Sequence, residues 1–177
     1  DRGVAWLLSR QEDDGSFGKG GRERGKTALA LFTLRSCGVP RDQTGIVRGL
    51  PWIDGDGTLG AAYLDTYTAS LVLLALDAHR RTPTGEGEPG NRGGKGPAPS
   101  APATDADLRW MEELANNLVA AQVRSGGFWY LAAEVRSPKE APSSPENEDH
   151  SNTQFALLGL DAARRSGITV PSSVWLR

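Results

Sequence analysis

The feature that most limits the folds open to this chain is a repeat. Gln11-Glu12-Asp13-Asp14-Gly15-Ser16-Phe17-Gly18 recurs 42 residues later as Ile53-Asp54-Gly55-Asp56-Gly57-Thr58-Leu59-Gly60. The apolar run TALALFTL ends at Leu34 and its counterpart ASLVLLAL at Leu76, again 42 residues apart. A third copy carries Gln122-Val123-Arg124-Ser125-Gly126-Gly127-Phe128-Trp129, and its run TQFALLGL ends at Leu160, 84 residues after Leu76. Two independent features on one period describe a supersecondary unit that must stack on its neighbours to bury its apolar side.

Each unit reads as helix, glycine-rich turn, helix. The first helix is amphipathic. In unit 1, Val4, Trp6, Leu7 and Leu8 mix with Arg2 and Arg10, and in unit 3, Leu108, Met111, Leu114 and Leu118 alternate with Glu112, Glu113, Asn116 and Asn117. The second helix is apolar nearly all round, over Thr27–Leu34, Thr68–Leu76 and Thr153–Leu160. One half-exposed and one buried helix per unit predicts an all-α fold with two concentric layers, the apolar helices innermost. Gly38 with Pro40 and Gly167 with Pro171 supply the helix stops.

The units span about 1–40, 41–81 and 105–171 of one domain. The third is stretched by two insertions. Thr82–Thr104 is dominated by Gly and Pro and lacks apolar periodicity, as a flexible surface loop does. The segment 131–148, around SPKEAPSSPENE, reads as a second loop that tolerates length.

Charge and cysteine content remove several function classes. A net charge of -2 and a pI near 5.7 leave no footprint for nucleic acid or an anionic membrane. One cysteine, Cys37, allows no internal disulfide and no cysteine-based zinc cluster. No run approaches the ~20 apolar residues of a membrane span. Asp1 opens into DRGVAWLL and Arg177 stops inside SSVWLR, so both ends are expected to cut through helices of a longer protein.

QEDDGSFG, with Gln11, Asp14, Gly15 and Phe17, resembles the QW motif of the prenyltransferase and squalene-cyclase repeat family. TALALFTL, ASLVLLAL and TQFALLGL look like its inner-barrel helices. The resemblance covers Asp1–Thr82 and Asp105–Arg177. It implies an α/α toroid, an inner ring of helices inside an outer ring, around an apolar cavity for an isoprenoid or other lipid-like molecule. Closing such a ring takes more than three hairpins, so the remaining repeats of the same protein are expected partners. No cofactor and no metal are implied.

Most motif residues suit structural work. Gln11 and Gln122 end outer helices, where an amide can bridge a terminal carbonyl and N–H groups of the next hairpin. Gly15, Gly57 and Gly126 permit positive φ in the turns, with Asp14 and Asp56 as turn formers. Phe17 and Phe128 are expected to plug the turns against the neighbouring repeat, with Trp129 a further structural residue of the third motif.

The candidate catalytic residue is Asp149. Cyclases of the resembled family protonate their substrate with the middle Asp of an Asp-x-Asp-Asp-Thr motif at the mouth of an inner helix. Asp149-His150-Ser151-Asn152-Thr153 keeps the first Asp and the Thr, but the proton-donating position falls on Ser151, which cannot be that acid. The same alignment sets Asp65 on Asp149, as helix N-caps would fall. Asp65, His150, Ser151, Asn152 and Thr153 thus mark the cavity mouth. Asp149 is either a cap or a donor, and the chain either a non-catalytic binding domain or an enzyme whose acid lies elsewhere.

Two other chemistries are weaker. Cys37, His79 and His150 lack the Asp-x-Cys pair of zinc-dependent protein prenylation, and Cys37 beside Gly38 reads as a small buried apolar residue. Gly20-Gly21-Arg22-Glu23-Arg24-Gly25-Lys26-Thr27 matches a phosphate-binding loop letter for letter, yet follows the turn DDGSFGK rather than a strand.

Overall fold

The computed structural model describes residues 2–20, 22–54, 64–81, 104–130 and 149–176. Within them the chain is all-α. The helices are α1 (Arg2–Leu8), α2 (Glu23–Ser36), α3 (Thr44–Gly49), α4 (Thr66–Arg80), α5 (Asp105–Ala121) and α6 (His150–Arg165). Single turns of 3₁₀ helix follow α3 (Leu50–Trp52) and close the chain (Ser172–Val174). Among the described residues, extended pairing is limited to the isolated bridges Gln11–Phe17 and Gln122–Phe128.

The structure is built around α4. Its residues from Thr68 to Ala78 are all buried, as the unbroken run ASLVLLAL predicts. Asp65 caps its start, accepting from Thr68 N at 2.7 Å. α2 and α6 flank it on two sides, and α5 packs across α4 and α6. The three apolar helices run parallel. Near their first turns, Gly25 of α2 meets Thr68, and Phe155 of α6 stacks on Tyr67 with ring centres 5.0 Å apart. At the other end, Arg35 donates to the Arg81 carbonyl at 2.9 Å, and Arg165 pairs with Asp77 at 2.8 Å.

Glycine sets how closely the row packs. A Cβ on Gly159 of α6 would lie 2.8 Å from the Ser70 Cα of α4, and one on Gly25 would lie 3.0 Å from Thr68 Oγ1. The row's carboxyl end is held by polar groups. Asp77, almost wholly buried, takes ion pairs from Arg81 and Arg165. Arg35 donates to the carbonyls of Val39 and Arg81, and burial beside Arg41 and Arg81 pushes its pKa down. Cations at three parallel carboxyl ends also offset the helix dipoles.

Several sequence expectations need correction. The apolar helices extend beyond their apolar runs at both ends, because polar groups in the added turns find hydrogen-bond or ion-pair partners, as Asp77 and Arg35 do. The first helix of unit 2 shrinks to α3, since Pro51 has no N–H to continue the α-helical ladder. Cys37 is exposed rather than buried. It caps α2 just before Gly38 turns the chain out at φ 81°. At the end of α4, burial, with Arg35 and Arg41 nearby, pushes the His79 pKa down. The turn holding Asp56 and Gly57, residues 82–103 of the first insertion and all of the second lie outside the described residues.

Gly159→Ala is expected to cost about 1–3 kcal/mol, the range for overpacking a tight contact. Urea denaturation should show a lower midpoint at an unchanged slope. A variant as stable as the parent would contradict the close α4–α6 approach.

Candidate functional site

Two of the glycine turns are built alike, down to individual bonds. Gln11 Nε2 donates to the Gly15 carbonyl at 2.9 Å and to the Gly45 carbonyl of the next unit at 2.7 Å. Gln122 Nε2 donates to Gly126 O at 3.0 Å and to Val174 O at 3.1 Å. The amide therefore bridges two carbonyls, and the next hairpin offers an acceptor where an N–H was expected. Gly15 and Gly126 sit at φ 87° and 101°, where a side chain would be strained. Asp14 closes its turn by accepting from Ser16, which lowers its pKa.

Phe17 and Phe128 are buried, and their N–H groups donate to Thr27 Oγ1 and Thr153 Oγ1, each at 2.9 Å. Unit 2 has Ile53 in place of the glutamine, and there the bond is reversed. The Trp110 indole of α5 reaches back to the Ile53 carbonyl at 3.0 Å. These residues join one unit to the next.

The mouth of the row is a different environment. Asp149 is the N-cap of α6. Its carboxylate accepts from Asn152 N at 2.8 Å, Asn152 Nδ2 at 3.0 Å, Tyr130 OH at 3.3 Å and the Ser151 hydroxyl. Ser151 accepts in turn from Tyr67 OH on α4. These donors, Ser151 foremost and then the Asn152 N–H, hold the Asp149 pKa below the ordinary carboxylate value. A cyclase acid needs the opposite shift, so as placed here the group is an acceptor at neutral pH. The facing carboxylate raises the Tyr130 pKa.

The turn before the second insertion is stitched to this mouth. Thr66 at the start of α4 donates through its N–H to Tyr130 O at 3.0 Å and through its hydroxyl to Trp129 O, while Asp149 N donates to Phe128 O at 3.2 Å. Tyr67 also lies 6.2 Å from Tyr130, ring centre to ring centre, and Trp129 meets Tyr130 edge-on. Asn152 is fully buried and His150 exposed.

Beside the mouth, a recess of about 180 Å³ opens between α2 and α4, lined by Arg22, Lys26, Leu29, Tyr67 and Leu71 among others. Leu29 on α2 and Leu158 on α6 are each 46% exposed. With Tyr67 and Phe155 they mark an apolar stripe across the three helices. A wider cleft, about 390 Å³, lies over the first turn between Asp14, Glu23 and Trp52.

The phosphate-loop letters do not make that loop. Thr27 is buried with its hydroxyl taken by Phe17, and Lys26 Nζ donates to the Lys19 carbonyl at 2.8 Å. Among the described residues no group of His, Cys, Asp and Glu could hold a metal, and no helix is long and apolar enough to cross a membrane. Comparison of the chain with protein-family models, with curated proteins and with solved structures finds no match.

Tyr67, Tyr130 and Phe155 escape the sequence reading because each belongs to the site only through residues far along the chain. The one available signal was the position of Tyr67 and Phe155 shortly after the aligned caps Asp65 and Asp149, and Tyr130 had no such signal.

Folding lowers the Asp149 pKa, so the ionised cap contributes stability above the ordinary value of 3.8 that is lost as pH falls through the folded value. Asp149→Ala should lower the urea midpoint at pH 7 as a lost cap, and Asp149→Asn should lower it less, because an amide oxygen also caps. The gap between parent and Asp149→Asn in urea melts should narrow below pH 4. A gap that widens on acidification would reverse the assigned sign.

Proposed function

We propose that the chain forms an arc of an α/α toroid of the prenyltransferase and squalene-cyclase type. In this arc α2, α4 and α6 form the inner layer, and α1, α3 and α5 belong to the outer. The inner layer binds an apolar, isoprenoid or other lipid-like molecule and supplies no cyclase acid of its own. The observation that carries this is the stripe Leu29, Tyr67, Phe155 and Leu158. Side chains of this kind are normally covered, and a patch of them on a rigid helical row marks a binding surface.

Two further features support it. The parallel row places the first turns of all three helices at one rim, and the Gln11 and Gln122 bonds repeat one unit-to-unit geometry, as a curved array requires. Asp149 serves this arc as a cap, because its donors keep it ionised.

Binding of farnesol, a neutral isoprenoid, should perturb the fluorescence of the tyrosines at the rim. Leu29→Asp with Leu158→Asp should weaken that binding at least tenfold, whereas Asp149→Asn should leave it within twofold. Equal affinity in parent and double variant would remove the stripe from the binding surface.

A further inference from the structure

The carboxyl end of the row holds a charge that hydrogen bonding alone does not balance. Arg35 is 5% exposed, and its terminal nitrogens donate to the carbonyls of Val39 and Arg81. Carbonyls satisfy donors, but a buried cation is costly unless an anion faces it. Among the described residues no carboxylate pairs with Arg35. Beyond burial, the groups that act on its charge are Arg41 and Arg81, both cations, and its Nε is buried without a partner. Asp77, the buried carboxylate at this end, is committed to Arg81 and Arg165. The ends of α2 and α4 each contribute about half a negative charge, enough to offset one arginine.

His79 senses the same excess. Its Nδ1 is buried and unpartnered. Burial, then Arg35 and Arg41, hold its pKa down against a weaker pull from Asp107 of α5. On its own helix the charged neighbours are Asp77, Arg80 and Arg81. Arg41 donates to the Arg80 carbonyl at 3.2 Å, which holds it against the end of α4. Arg41, His79 and Arg81 are only half-buried, so an ion can reach them from solvent. A bound ion is one of the few explanations for an unsatisfied buried donor in a cluster of this kind.

We propose that the carboxyl ends of α2 and α4 form a binding site for a compact dianion of the sulfate or phosphate type. Arg41 and Arg81 contact it, and Arg35 supplies fixed charge from the interior. A dianion gains more than a monoanion from three neighbouring cations, and the guanidinium fork matches its oxygens. The site lies at the opposite end of the row from the mouth and is independent of the lipid-binding function.

Calorimetric titration with sulfate, inorganic phosphate and methyl phosphate, in sodium chloride at matched ionic strength, tests it. Sulfate and inorganic phosphate are expected to bind, and acetate is expected not to bind measurably. Arg41→Gln should weaken sulfate binding about tenfold, as the loss of one charge-assisted contact. Sulfate also stabilises folded proteins generally, so the readout is the melting temperature it adds to the parent beyond what it adds to the variant.

A second measurement needs no substitution. The chain has two histidines, so NMR separates His79 from His150. The His79 pKa should rise in sulfate relative to chloride, because a facing anion favours the charged imidazole. An identical His79 titration in the two salts would overturn the proposal. Acetate binding as tightly as sulfate, or equal sulfate affinity in parent and Arg41→Gln, would overturn it too. Methyl phosphate binding as well as inorganic phosphate would show a site open to phosphate esters. Its failure beside bound inorganic phosphate would show a free-ion site, and either of these two results upholds the proposal.

Discussion

Burying one helix on every side is the constraint on which the rest of this structure depends. α4 presents almost nothing to solvent between Thr68 and Ala78, so its neighbours must approach closely wherever they touch it. Close approach requires small residues, and Gly25 and Gly159 stand at the two contacts where a methyl group would crowd α4. It also requires that polar groups near the buried helix find partners. Asp77 meets two arginines, Ser70 donates to the Thr66 carbonyl, and Arg35 closes on carbonyls beyond the ends of α2 and α4. An unpaired group at any of these places would carry a full desolvation penalty.

The same economy explains the turns. A glutamine whose amide joins its own turn to the next unit satisfies two carbonyls with one side chain. Where the glutamine is absent, the Trp110 indole of the next unit reaches back to a different carbonyl, that of Ile53.

At the mouth, capping and acid catalysis make opposing demands on one carboxyl. A cap works by accepting hydrogen bonds, and each accepted bond stabilises the ionised form. A proton donor must keep its proton, so it needs donors removed and burial increased. Asp149, with Ser151, Asn152 and Tyr130 all directed at it, lies on the capping side of that divide.

The sequence by itself determined the all-α class, the turn glycines Gly15 and Gly126 and the apolar identity of α2, α4 and α6, because these rest on local periodicity and on conformations that few residues adopt. Asp65 and Asp149 were legible as caps for the same reason: a cap acts within one helical turn. The partners across the row were decided only by the tertiary structure. Tyr67 reaches Ser151 over 84 positions of sequence, and Gln122 reaches Val174 over 52. The exposure of Cys37 and the shortness of α3 likewise depend on where the chain turns after Gly38 and at Pro51. Local pattern states what each helix can bury. Which helix becomes the buried centre, and which side chains then meet at its rim, is set by packing between units.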